Sequence, residues 1–127
     1  MTATTAPSQL PVLDAQGVMR AMGDFSGDIY REVGEVFLED LPSMRRSLRT
    51  AEGSAEALIP ALHELANSLG VVGAQRGEAL VRDLERRLRD GETLELEAVA
   101  ATVHRTLKVV EQALRAVLAA PGGGPVA

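Results

Sequence analysis

Residues 96 to 117 constrain this chain more than any other stretch. Leu96, Ala100, Val103, Leu107, Val110, Leu114 and Val117 follow one another at alternating intervals of 4 and 3 residues. An α-helix turns once every 3.6 residues, so this spacing lays apolar side chains along one face. A strand, whose faces alternate at every second residue, cannot do the same. Such a stripe is stable in water only when other stripes cover it.

Three more stripes are present. After Ser26, read as an N-cap, apolar residues recur at Ile29, Val33, Val36, Phe37, Leu41, Met44 and Leu48. Pro42 is expected to kink this helix, because it removes one backbone donor and crowds the preceding turn. Gly53-Ser54 separates it from a stripe at Leu58, Leu62, Leu65, Leu69 and Val72. The next helix, starting near Gly73-Ala74, is expected to bury Leu80, Leu84 and Leu88 and to turn Arg82, Asp83, Glu85, Arg86, Arg87 and Arg89 to water. Asp90-Gly91 should end it. The last helix should run from about Leu94 to Ala120, and a shorter one from Asp14 to Met22 should pack across one end.

The expected fold is therefore all-α: an antiparallel up-down-up-down four-helix bundle with a short additional N-terminal helix. Composition agrees, since 46% of the 127 residues are hydrophobic but only Phe25, Tyr30 and Phe37 are aromatic, which suits one helical domain. Residues 1–11 (MTATTAPSQLP) and 121–127 (PGGGPVA) read as flexible tails around a bundle over 12–120. These tails favour a free-standing protein.

Several function classes are disfavoured at once. The net charge is −5 with no long basic run, so neither nucleic acid nor an acidic membrane surface is an expected partner. The chain has no cysteine, which excludes disulfides, thiolate catalysis and thiolate zinc sites. No signal segment or long apolar run is visible, and a cytoplasmic monomer is expected.

One of two histidines lies in Ala61–Ala74, ALHELANSLGVVGA. If Leu58, Leu62, Leu65 and Leu69 face the core, His63 sits roughly 100° around the helix from Leu62 and is exposed or half exposed. Its surface neighbours are Ile59 and Pro60 before it and Ala66, Asn67 and Gly70 after it. Small residues on that side leave room for another surface to approach the ring, which suits a nucleophile offered to a docking protein. The plainer reading is an ordinary surface histidine, with Gly70 serving close helix packing and Gly73 ending the helix.

These residues resemble the histidine phosphotransfer (HPt) family, whose signature is similar to A-H-x-L-K-G-x-x-x-x-[LIV]-G-[AG]. His63, Leu65, Val72, Gly73 and Ala74 fall in register. The resemblance runs from about Val12 to Leu118. Val12-Leu13-Asp14 is similar to the family's entry segment, Val36–Pro42 (VFLEDLP) to its F-L-E-E-L-P, and Leu80–Leu88 to its L-x-x-x-L-E helix. Two positions depart from the pattern: the family's lysine is Ala66 and the following glycine is Asn67.

The resemblance implies that His63 accepts a phosphoryl group from a receiver-domain aspartate and passes it to another receiver. The chain would then be a phosphocarrier in a phosphorelay and not a stand-alone enzyme. Ala66, Asn67 and Gly70 would surround the phosphoryl group, and Ile59, Ala66, Asn67 and Gly70 would dock the partner. Response-regulator receiver domains and a (hybrid) histidine kinase are the implied partners. No cofactor or metal of its own is implied; Mg2+ would sit on the receiver. Arg45, Arg46 and Arg49 are candidates to replace the lysine's charge. The alternative is an HPt-like binding module that grips a receiver or kinase without accepting phosphate, and a third reading is a purely structural bundle dimerising through its last helix.

Other chemistry has less support. His63-Glu64-Leu65-Ala66-Asn67 lacks the second histidine of H-E-x-x-H, and His104, at the flank of the last stripe, is far along the chain. Gly122-Gly123-Gly124 meets Pro125 with no helix to complete a phosphate cradle, and the acidic residues form no pair for acid–base work.

Overall fold

The computed structural model describes residues 6–120; the expected tail 121–127 and the first five residues of the expected tail 1–11 lie outside the described residues. A short 3-10 turn, Pro7–Gln9, precedes α1 (Ala15–Met22), α2 (Asp28–Ala51), α3 (Ala55–Val71), α4 (Gln75–Arg89) and α5 (Leu96–Leu118). Among the described residues the fold is all-α. No helix among them is long and apolar enough to cross a membrane. Residues 6–11 lie against the start of α4: the carbonyls of Leu10 and Pro11 accept from the Arg76 side chain and backbone.

Helix ends follow from local chemistry. The Asp14 side chain accepts from Gly17 N–H at 3.0 Å and the Ser54 hydroxyl from Ala57 N–H at 3.3 Å, each capping a helix start. The expected cap Ser26 lies one residue outside; Gly27, with φ 83°, takes the N-cap position of α2. Asp24, 5% exposed, satisfies that end from a distance, accepting from Gly27 N–H and Tyr30 N–H. A buried carboxylate is tolerable there because backbone donors and the positive end of the helix dipole both face it. α2 runs without interruption through Pro42.

The core is mainly aliphatic, with Tyr30 and Phe37 buried in it. In α3 the whole stripe Leu58, Leu62, Leu65, Leu69 and Val72 is buried, and in α5 Ala100 through Leu114 of the 4-3 pattern are buried, with Leu96 and Val117 at its ends partly covered. Two other seams depart in part from the expected stripes, although Phe37, Leu41, Leu48 and Leu88 are buried as expected. α2 buries Tyr30, Gly34, Phe37, Leu41 and Leu48, leaving Ile29 and Val36 exposed. α4 buries Gly77, Val81, Glu85 and Leu88, leaving Leu80 and Leu84 half-covered.

The helices close on one another: α3 packs on α2 and α4, and α5 packs on α2 and α4, with α1 against α2. α3 and α4 run antiparallel, since His63 pairs with Glu85 and Asn67 with Arg82. α2 and α5 do so as well: Arg31 reaches the Leu118 carbonyl, while Arg45 reaches His104 and Glu111.

Two hydrogen bonds hold the α3–α4 turn in place. The Tyr30 hydroxyl donates to the Val72 carbonyl at 2.6 Å, and Asp14 N–H donates to the Gly73 carbonyl at 2.8 Å. Gly73 has φ 79°, and a Cβ there would stand 2.7 Å from the Asp14 carbonyl oxygen. Only glycine fits both demands.

Candidate functional site

His63 lies mid-helix on α3, on the flank that faces α4. Its side chain is 50% exposed, and Nδ1 stands 3.0 Å from Glu85 Oε2. Glu85 is 9% exposed at its side chain and is held in turn by Arg89, whose Nε and Nη2 lie 2.9 and 2.8 Å from the same oxygen. A buried carboxylate is stable when a cation neutralises it, and here Arg89 does so from one turn further along α4.

This arrangement determines the tautomer. An ionised carboxylate only accepts, so the hydrogen between Glu85 and His63 sits on Nδ1. In the neutral ring Nε2 then carries the free lone pair, on a ring half open to solvent. A neutral, oriented imidazole with an accessible Nε2 can act as a nucleophile, and positive charge that develops on the ring during attack is met by Glu85.

One turn along, Asn67 Oδ1 accepts from Arg82 Nη2 at 3.1 Å. Arg82 also binds Glu78, with Nε at 2.9 Å and Nη2 at 2.8 Å from Oε2. Gly70 makes room for that pair: a Cβ on Gly70 would lie 3.0 Å from Glu78 Oε2. The α3–α4 surface is therefore a ladder with His63, Asn67 and Gly70 on one rail and Glu85, Arg82 and Glu78 on the other.

The expected site residues are placed unevenly. His63 and Asn67 are exposed and neighbouring, and Ile59 is half-covered one turn before them. Ala66 is 0% exposed, so it can neither touch a docking partner nor line the phosphoryl group. The cause is that α3 lies between α2 and α4, which widens its buried face to include position 66 beside Leu62, Leu65 and Leu69. Gly70 is half-buried, and the Glu78 carboxylate takes the space a side chain there would need.

Arg45 bonds Glu111 and the His104 carbonyl on α5, and Arg49 lines a groove with Glu111 and Arg115. Arg46 borders α2–α3 near Pro60 and Glu64. The guanidiniums that reach the residues around His63 are Arg82 and Arg89, both on α4. Both are exposed, as the spacing predicts, whereas Glu85 is buried instead of facing water, because Arg89 and His63 satisfy its carboxylate.

The other flank of α3 is different. Ser68 and Val71 join Val33, Val36, Phe37 and Met44 of α2 around a groove of about 360 Å³, with Glu32 and Asp40 on its rim. Glu64 and Ser68 face this side, so the Ser68 hydroxyl points away from the ladder. His104, half-covered on α5, has its pKa lowered by burial first and then by the Arg45 and Arg49 charges, which favours the neutral ring. The Glu52 carboxylate opposes that shift but only as the smallest of the effects. Comparison of the chain with protein-family models, with curated proteins and with solved structures finds no match.

Proposed function

We propose that the chain is a histidine phosphotransfer protein that accepts a phosphoryl group on His63 Nε2 from a receiver-domain aspartate and passes it to a second receiver. The observation that carries this reading is the His63–Glu85 hydrogen bond, which leaves the outward nitrogen as the nucleophilic one. The contacts of α2 to α5 support the up-down-up-down antiparallel bundle that the apolar stripes predict, with α1 across the end that holds the α3–α4 turn.

In the forward step the Nε2 lone pair forms an N–P bond while the P–O bond to the donor aspartate breaks, its electron pair staying on the carboxylate oxygen. The ring becomes an N-phosphoimidazolium whose remaining proton sits on Nδ1 against Glu85. The reverse step returns the group to another aspartate. Position and charge stabilisation suffice for such a transfer. The receiver would bring Mg2+.

The test is intact-mass measurement after incubation with a panel of phosphorylated receiver domains and magnesium, with His63→Gln in parallel. Uptake by the wild type alone supports the carrier. A second reading, an HPt-like module that docks a receiver or a kinase without taking phosphate, draws on the fully buried Ala66, which places no cation three residues after the histidine. Binding of a phosphorylated receiver with no uptake, unchanged by His63→Gln, would favour it.

A further inference from the structure

We infer that Arg82, tethered by Asn67, is the cation that stabilises the phosphoryl group on His63, so that α4 supplies the charge that α3 lacks at position 66. This inference rests on the phosphocarrier reading.

A phosphoryl group brings three oxygens sharing close to two negative charges, and it is stable on nitrogen only where donors receive them. On α3 the position three residues after His63 is a buried methyl group. The next position, Asn67, is one turn from His63 on the same flank. A guanidinium can only donate, so the amide atom facing Arg82 is oxygen, and the Nδ2 end of Asn67 is left without a partner among the described residues.

Arg82 is held at two points, Asn67 and Glu78, through Nε and Nη2. Its Nη1 has no partner among the described residues, and its side chain is 42% exposed. On α4 it precedes Glu85 by three residues, so the guanidinium lies on the same flank as the carboxylate that orients His63. Two free donors, Arg82 Nη1 and Asn67 Nδ2, are therefore found one helical turn from His63, on the Asn67 side.

Arg89 differs in its duty. Both of its bonds go to Glu85, whose charge it neutralises. Arg82 shares its charge between Glu78 and a neutral amide. In this chain the unshared cationic donor stands on the facing helix, and Asn67 holds it in place.

The experiment uses phosphoramidate, a small donor that needs no receiver: the Nε2 lone pair attacks phosphorus, the donor's P–N bond breaks, and ammonia leaves after taking a proton from water. Labelling rate and phosphohistidine lifetime are read by intact mass for wild type, Arg82→Gln, Arg82→Lys, Asn67→Gly and His63→Gln. Arg82→Gln is expected to lose roughly ten- to a hundredfold in rate and to shorten the lifetime, the scale of one charge-assisted hydrogen bond. Arg82→Lys should recover part of both, and Asn67→Gly should fall between.

Unfolding midpoints should stay together across the arginine variants, because the pair with Glu78 is exposed. Equal rate and lifetime in wild type and Arg82→Gln would overturn the inference while leaving His63 as the acceptor. Labelling of His63→Gln at the wild-type rate would overturn the carrier reading and the inference with it, as would a wild type that takes no label.

Discussion

Tyr30 offers a sharp test of how the histidine helix is held. It is the only tyrosine, and the chain has no tryptophan, so near-ultraviolet absorbance reports its ionisation directly. The residue is 1% exposed, and its hydroxyl donates to the carbonyl of Val72, the C-cap of α3. Burial first, and the negative charge of Asp14 second, push its pKa from 10.0 up to about 12. Because the folded value is the higher one, the contribution to stability is complete below the unfolded pKa and disappears as pH rises through the folded one. The loss belongs to the window from about pH 10 to 12. A tenfold change in proton affinity is worth roughly 1.4 kcal/mol, so the full loss across that window amounts to about 3 kcal/mol.

Tyr30→Phe keeps the ring and removes the proton. At neutral pH it should cost ~1–3 kcal/mol, because the Val72 carbonyl is left buried without its donor. Urea unfolding of both proteins at a series of alkaline pH values, with a tyrosinate titration of the native wild type, separates the two effects. The wild type should lose stability across the alkaline window faster than the variant, until the two curves approach. A native tyrosinate midpoint near the ordinary value, or parallel stability curves for the two proteins, would refute the burial argument.

Other expectations are narrower. Gly73→Ala should destabilise by well over ~2 kcal/mol, since left-handed strain adds to a clash with the Asp14 carbonyl, whereas Gly91→Ala, with φ 82° and no atom within 4 Å, should cost only ~1 kcal/mol; thermal melts of the pair compare strain with and without contact. Glu85→Ala should free the His63 ring from a single tautomer, seen as a change in its nitrogen chemical shifts, and slow phosphoryl uptake by roughly ten- to a hundredfold. His104, whose folded pKa is lowered, contributes stability that is present above its unfolded pKa and is lost as pH falls through the folded one. His104→Gln should therefore flatten the fall in urea midpoint below about pH 6.5.

The 4-3 stripes of α3 and α5 were legible from residue type alone, as were the expected ends of α1 and α4, because aliphatic spacing and glycine placement carry that information locally. The seams of α2 and α4 were legible only in part, at Phe37, Leu41, Leu48 and Leu88. In α4, Leu80-Leu84-Leu88 and Gly77-Val81-Glu85-Leu88 both fit a helical period, and hydrophobicity alone selects the leucines. The packed solution uses Gly77 for close approach to Thr106 on α5 and buries Glu85 because Arg89 and His63 satisfy it. In α2, Tyr30 displaces Ile29 from the seam because its hydroxyl finds the Val72 carbonyl.

His63 itself could be found by register. Glu85 could not, since a contact across 22 residues depends on which faces of two helices meet. One signal was present: residues 78, 82, 85 and 89 are spaced 4, 3 and 4 apart and alternate in charge, the mark of one helix face bearing a run of ion pairs.

The turn between α3 and α4 is three residues long, Val72 to Ala74, and every side chain of the ladder belongs to the two helices it joins. The contacts of the ladder thus lie within a single helical hairpin, whose turn Tyr30 and Asp14 hold from outside. Contacts this local close at small entropic cost. α2 and α5 can therefore accumulate substitutions on their outer faces while the histidine keeps its setting, and a graft of residues 55–89 with a covering pair of helices would carry the whole constellation with it.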